Sequence, residues 1–354
     1  MPLEARGLAA FSADGFWCRV VRMKKMAQLG VGCSVSAAML YMAFKDLDLE
    51  QLKSNISQLA LWPILPFVGL FFGHYYLRSL RWRLLLPSPH GEAVGLRKLF
   101  DSMMVGNLAT FLLPFRLGEF IRPLMLSRLS NYSFASSFIS VVIERFFDLS
   151  AVLISFAIVI PLLPELPPWA TVAAYSLGML ALCLLLFLVF GCLFPRFIRS
   201  MVDIIVKPLP DKFGSLISRF LGDLLTGAGV IATPARLAAI VGLTVLIWLT
   251  SFLQFYDLLF MFPQEQRSFL LGVTLCVFVS LAVALPSAPG FVGVFQMGCV
   301  AAAALFAYSV SAAQLYSILV HLLTFLMVIG MGFWVLTARD LNLFELKKAA
   351  ERDS

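Results

Sequence analysis

The residues of this chain best suited to chemistry are ionised side chains in places where ionised side chains are costly. Glu144, Arg145 and Asp148 lie about ten residues into the apolar run that begins at Phe134. At 1.5 Å per residue that is roughly 15 Å deep, near the centre of a bilayer. Facing lipid, each would cost several kcal/mol, so the three must face the protein interior and be paired. Arg145 and Asp148 are three apart and can pair on one face, whereas Glu144 and Asp148 share a face with one local cation. That leaves a negative excess for Arg116 or Arg122 to neutralise. Arg116, Glu119 and Arg122 form a second stripe, at spacing three and three. Because Pro114 precedes it, Arg116 is expected in the first turn of a new helix, where exposed N–H groups and the positive dipole end favour an anion. A guanidinium there adds bidentate phosphate geometry. On this reading Arg116, helped by Arg122, meets a lipid phosphate while Glu144 and Asp148 hold the arginines. The competing reading makes all six an ion-pair lock, testable by rescuing Arg116→Glu with Glu144→Arg.

Other polar residues offer less. Asn107 within the first broken stretch, and Ser287 and Gly290 at the second break, can bond freed backbone groups or a headgroup. His321, inside the last apolar run, is either proton-responsive or a core histidine bonded to a neighbour. Gln254, Gln296 and Tyr316 suit helix–helix hydrogen bonds. Arg78, Arg81 and Arg83 with Trp82 read as a basic-aromatic collar that anchors topology. The cysteines show no C-x-x-C pair, and no carboxylate pair or D-D-x-x-D cluster suits a metal, so neither a metal nor a cofactor is expected.

The elements that carry these residues must be membrane helices. Apolar residues make up 60% of the chain and charged ones 13%, too few polar groups to cover a soluble fold. The net charge of +7 reflects basic inner loops, not a nucleic-acid partner. The expected fold is an all-α polytopic membrane protein. Ala27–Phe44, Leu59–Leu77, Phe134–Leu163, Trp169–Phe194 and Leu237–Phe262 read as spans, and Ser268–Ala338 holds no Asp, Glu, Lys or Arg. The basic segment 1–26 imitates a signal peptide, but without an A-x-A site it reads as the cytoplasmic lead of a retained helix. Placing 1–26, 78–98, 115–133, 195–236 and 339–354 inside puts 23 of the 27 Lys and Arg there. This bias predicts both termini inside.

Two stretches resist assignment as simple spans. Arg97–Leu113 runs apolar to Leu113-Pro114 and then into Arg116, with both ends on the inner side; Ser268–Ser309 mirrors it from the outer side and breaks at Pro286 and Pro289. Proline removes a backbone donor and pushes the preceding residue out of helix. Both breaks, near 113–118 with Pro114 and Gly118 and near 285–290, are therefore expected as tips of re-entrant hairpins; a pair of full spans at each is the alternative. The chain then divides into a first repeat (27–163), an outer loop (164–168) and a second repeat (169–338), with a cytoplasmic connector (195–236) and tail (339–354). Each repeat reads span, span, hairpin, span, in opposite direction, for six spans and two hairpins. Leu113-Pro114-x-x-x-Gly118 is matched with Leu285-Pro286-x-x-x-Gly290. Inverted repeats with interrupted helices in corresponding places point to a transport site at their interface. The connector alternates apolar and basic residues, either as helices on an anionic lipid surface or as a solvated linker.

With those residues in view, the chain resembles the flippase-like family, the transmembrane region of lysylphosphatidylglycerol synthase. The resemblance rests on Leu113-Pro114-Phe115-Arg116-Leu117-Gly118-Glu119, Glu144-Arg145-x-x-Asp148 and Leu285-Pro286-x-x-Pro289-Gly290-x-x-Gly293. It implies movement of a lipid across the membrane; the short tail after the last span implies no soluble synthase domain. Two positions depart from the family pattern: Gln296 stands where an acidic residue is common, and His321 where an arginine is common. The leading expectation is thus a lipid translocase of the bacterial inner membrane, not an enzyme, moving an anionic or lipid-linked headgroup through a midplane site. Its expected partners are a membrane phospholipid or lipid-linked substrate, anionic lipid at the cytoplasmic face and a biosynthetic enzyme. The alternatives are a non-transporting accessory protein for glycolipid or envelope lipid synthesis and an integral-membrane lipid transferase.

Overall fold

The computed structural model describes residues 30–86, 94–130, 132–163 and 233–339, with a discontinuous helical set between 172 and 186. The basic lead 1–26, the connector as far as 232 and most of the tail lie outside the described residues. All regular structure among the described residues is helical. The helices are α1 (Gly30–Phe44), α2 (Leu49–Ser57), α3 (Ile64–Leu85), α4 (Leu96–Leu112), α5 (Gly118–Leu129), α6 (Phe134–Val159), α7 (Pro234–Leu258), α8 (Phe269–Ala282), α9 (Val294–Ala304) and α10 (Val310–Ala338). Phe134–Leu162, Pro234–Met261 and Val310–Ala338 are long and apolar enough to cross a membrane. The helices α5, α8 and α9, of 12, 14 and 11 residues, are too short to cross a hydrocarbon layer of about 30 Å.

The second span runs further than hydropathy suggests. The helix continues from Ile64 to Leu85 through Arg78, Arg81 and Arg83, because Arg78 and Arg81 are paired inside the protein and do not have to stop at the membrane edge. The sequence places them in a topological collar; the structure buries Arg81 and Trp82 completely. The start of α7 likewise reaches back into the segment read as connector. Arg236, in its first turn, donates from Nε to the Leu84 carbonyl at 2.7 Å and from Nη2 to the Leu86 carbonyl at 3.0 Å. It thereby satisfies carbonyl groups that the end of α3 leaves unbonded.

Both proline breaks have the same local form. Leu113, at φ −104° and ψ 145°, is extended as the residue before a proline should be; Pro114–Arg116 makes one 3-10 turn and α5 starts at Gly118. In the other break Ala288 is extended, Pro289–Phe291 makes the 3-10 turn and α9 starts at Val294. The third residue of each turn has a positive φ, 52° at Arg116 and 61° at Phe291. By local structure Pro114 therefore corresponds to Pro289, three residues beyond the Pro286 that the sequence match selects. Pro286 instead falls in the irregular stretch after α8. Gly118 permits the tight turn of α4 against α5, since a Cβ there would collide with the Gly106 carbonyl and the Thr110 side chain.

Two main apolar cores are each built mostly from one half, the first completed by Ile240, Val335 and Leu336 and the second by Phe67. Trp82, Leu99, Met104, Ile121, Met125 and Ile143 are among the buried residues of the first, and Leu258, Leu275, Cys299, Ala312 and Tyr316 among those of the second. The packing of helices follows one scheme in both halves: α3 lies on α4 and α6, and α7 on α8 and α10; α4 pairs with α5 and α5 with α6, as α8 does with α9 and α9 with α10. Across the halves α3 lies along α7, α4 against α10 and α8 against α6. Exchanging the halves leaves this set of pairings unchanged; among the described residues the α6–α7 and α2–α10 contacts have no equally extensive counterpart. The helix α1 crosses to the second half. Ser36 Oγ accepts from the Ala288 N–H at 2.8 Å, and Gln314 Nε2 donates to the Ala43 carbonyl at 2.8 Å.

Candidate functional site

The first half buries an ion network where α3, α5 and α6 meet. Glu144, with its side chain fully buried, accepts from Arg78 Nη2 at 2.6 Å and Arg122 Nη2 at 2.7 Å, and Arg81 Nη2 stands 3.2 Å away. Asp148 lies 2.7 Å from Arg81, 3.7 Å from Arg145 and 3.8 Å from Arg78. Arg145 also pairs with Glu119 at 2.9 Å, tying α6 to the start of α5. Trp82 braces the assembly: its indole N–H donates to Ser140 Oγ at 2.8 Å, and the Arg122 guanidinium lies 3.9 Å from its ring centroid. Arg81 Nη1 donates to Thr244 Oγ1 at 3.0 Å, linking the network to α7. Four guanidinium groups thus surround three carboxylates.

Five of the six charged residues singled out by spacing are in this network. Arg122 supplies the neutralising cation expected for Glu144. Arg116 does not join: among the described residues no carboxylate lies within ion-pair distance of it. The charge-reversal pair to test is therefore Arg122 with Glu144, not Arg116 with Glu144. Arg78 and Arg81 are the members that spacing missed. Their three-residue separation on one helix face was legible, but nothing local tied that face to residues 66 positions away.

The network is buried at one end and open at the other. The side chains of Glu144 and Arg81 are inaccessible, Asp148 is 16% exposed, Glu119 26% and Arg145 46%. The exposed end includes Glu119, three residues after Arg116, which stands where the two proline breaks meet. Arg116 Nη2 donates to the Val283 carbonyl at the end of α8, and its guanidinium lies 5.3 Å from the Phe291 ring centroid. The two residues that hold the same place in their turns therefore touch. Phe111, on α4, packs edge-on against Phe291 at 5.6 Å and against Phe325 on α10 at 5.8 Å.

The second half answers the ion network with neutral groups. Gln296 Oε1 accepts from the Gly293 N–H at 2.7 Å, so its amide NH₂ points at His321 Nδ1, 2.8 Å away. Nδ1 then accepts, and Nε2 carries the proton it donates to the Gly290 carbonyl at 2.7 Å. This chain of bonds requires a neutral imidazole, which also stacks on Phe295 at 4.5 Å. The two residues that the sequence reading singled out as unusual for the family are thus partners of one another. The separate bond from the Gly293 N–H to Gln296 Oε1 caps a glycine at φ 89°, where a Cβ would strike the Ser36 carbonyl.

The remaining expected residues divide between these regions. Tyr316 donates to the Phe255 carbonyl at 2.6 Å, a helix–helix bond between α10 and α7. Gly290 is bonded through its carbonyl, as above. Ser287 contacts α1 through its backbone, and the freed N–H beside it is taken by Ser36, not by the Ser287 hydroxyl. Asn107 lies half-buried on α4, outside the ion network. Among the described residues no group of His, Cys, Asp and Glu is arranged to hold a metal.

A family model described as the lysylphosphatidylglycerol synthase TM region matches residues 29–332. No curated protein and no solved structure matches the chain.

Proposed function

Since the chain belongs to the family of lysylphosphatidylglycerol synthase transmembrane regions, we propose that it moves a lipid headgroup across the bacterial inner membrane through a polar site where its two halves meet. The observation that carries this reading is the exposure of Glu119 and Arg145. Arg145 is the twelfth residue of α6, roughly 17 Å along that helix. An ion pair that deep and yet 26% and 46% exposed belongs against water or a polar ligand, because lipid tails would impose several kcal/mol on each charge.

The architecture in this proposal is an inverted repeat of six spans and two re-entrant hairpins with both termini inside. Support comes from the short α5, α8 and α9, from the pairings that survive exchange of the halves, and from the touching of Arg116 and Phe291. Discontinuous helices meeting at a repeat interface suit alternate exposure of one site to either side. The lipid changes sides without chemical change, and a partner enzyme that makes or consumes it is a further element of the reading. The test is reconstitution in vesicles with a labelled lipid. Arg145→Gln and Glu119→Gln should each lower translocation by at least about tenfold, the effect of about 1.4 kcal/mol on a barrier, while melting temperature changes little. Unchanged translocation in both variants would sink the proposal and leave the network as a lock between α3, α5 and α6.

A further inference from the structure

Resting on that reading, we infer that the headgroup is a phosphate-bearing anion without an ammonium group, an anionic phospholipid or a polyisoprenyl phosphate, and not a cationic aminoacyl lipid. The inference comes from which charges remain available. Each carboxylate of the ion network is already committed: Glu144 to three guanidinium groups, Asp148 to three, and Glu119 to Arg145. The second half offers none near the junction, because Ser268–Ala338 contains no acidic residue and Gln296 and His321 satisfy one another as neutral groups. A lysyl headgroup brings two ammonium groups for one phosphate. It would enter a region with surplus guanidinium and, among the described residues, no free carboxylate, and an unpaired ammonium in a dry site is costly.

A phosphate meets the opposite conditions. Arg145 is the most exposed cation of the network. Arg116, three residues before Glu119, is held by a backbone carbonyl and an aromatic ring. Both of its present partners are neutral, so exchanging the Val283 carbonyl for a phosphate oxygen replaces a bond to a neutral acceptor with one in which both partners are charged and two parallel N–H···O bonds can form. The planar fork of Arg116 suits two phosphate oxygens, and the two residues stand on different elements. The same exchange frees the contact between the two proline breaks, linking headgroup arrival to their separation.

The test uses the full chain in phosphatidylcholine nanodiscs doped in turn with phosphatidylglycerol, a polyprenyl phosphate and lysylphosphatidylglycerol, with the lipid retained on extraction read by native mass spectrometry. Phosphatidylglycerol or the polyprenyl phosphate should be retained over lysylphosphatidylglycerol by about tenfold or more, and the stronger of the two identifies the source. Arg116→Lys should keep the direction of that preference, and Arg116→Glu should reverse it; a ratio within one preparation does not depend on how much protein folds. Equal or stronger retention of lysylphosphatidylglycerol, or a preference that Arg116→Glu leaves unchanged, would overturn the inference. Retention requires no transport, so the two proposals fail separately. A protein that retains the anionic lipid but moves nothing keeps the headgroup class and loses the translocation. One that moves lysylphosphatidylglycerol keeps the translocation and loses the headgroup class.

Discussion

The two halves place a side chain at the start of the second hairpin helix against one on the last long helix, and they use different chemistry to do it. In the first half Glu119 and Arg145 pair as ions at 2.9 Å, 26 positions apart. In the second, Gln296 and His321 bond as neutral groups at 2.8 Å, 25 positions apart. The placement on the two helices is shared, while the charge, the exposure and the further partners differ. Joining a hairpin to a long helix therefore does not require ions, since an amide and an imidazole with fully matched donors and acceptors suffice. The ions of the first half have some other use, consistent with their being the ones left partly open while His321 is buried.

The comparison is broken most severely at Glu144. Glu144→Gln removes the charge that three guanidinium groups share, and should cost about 3–5 kcal/mol, seen as a large fall in melting temperature of the purified protein. A loss no bigger than that of a second-half variant would mean the two halves are held alike. The middle effect is at the neutral pair. Gln296→Leu strands the Gly293 N–H and His321 Nδ1, at about 1–3 kcal/mol. Gln296→Glu and His321→Arg should each destabilise, and together should recover much of the loss, with a coupling of about 1–3 kcal/mol in a double-mutant cycle. Additive losses would show that this place does not accept a charged pair as Glu119 and Arg145 do. The smallest effect belongs to the crossing helix. Ser36→Ala removes the acceptor for the Ala288 N–H and should cost about 1 kcal/mol, read as faster amide hydrogen exchange confined to the second break. Protection lost equally in the first break would show that the breaks open as one unit.

Much of this was legible in the order of residues, and the exceptions follow a rule. The apolar helices, the two proline breaks and the position of Glu144, Arg145 and Asp148 along α6 depend on local hydropathy, on what proline does to its neighbour and on rise per residue. Arg122 was found because a buried carboxylate excess demands a cation and the stripe offered one. Arg78 and Arg81 were read as a collar because basic residues beside an apolar run usually mark its end; only the packing of α3 on α6 makes them interior. The match of Pro286 to Pro114 failed for a related reason. Identical dipeptides suggested a register that the backbone, with its turn at Pro289 and positive φ at Phe291, does not follow.

Composition by itself determined that the chain is a helical membrane protein carrying a few ionised groups it must pair internally, because apolar length and charge cost are properties of a segment. Which groups pair was decided by tertiary structure. Glu144 meets Arg78 across 66 positions and Arg116 reaches Val283 across 167, and contacts at such separations depend on which helix faces come together, which no local spacing encodes.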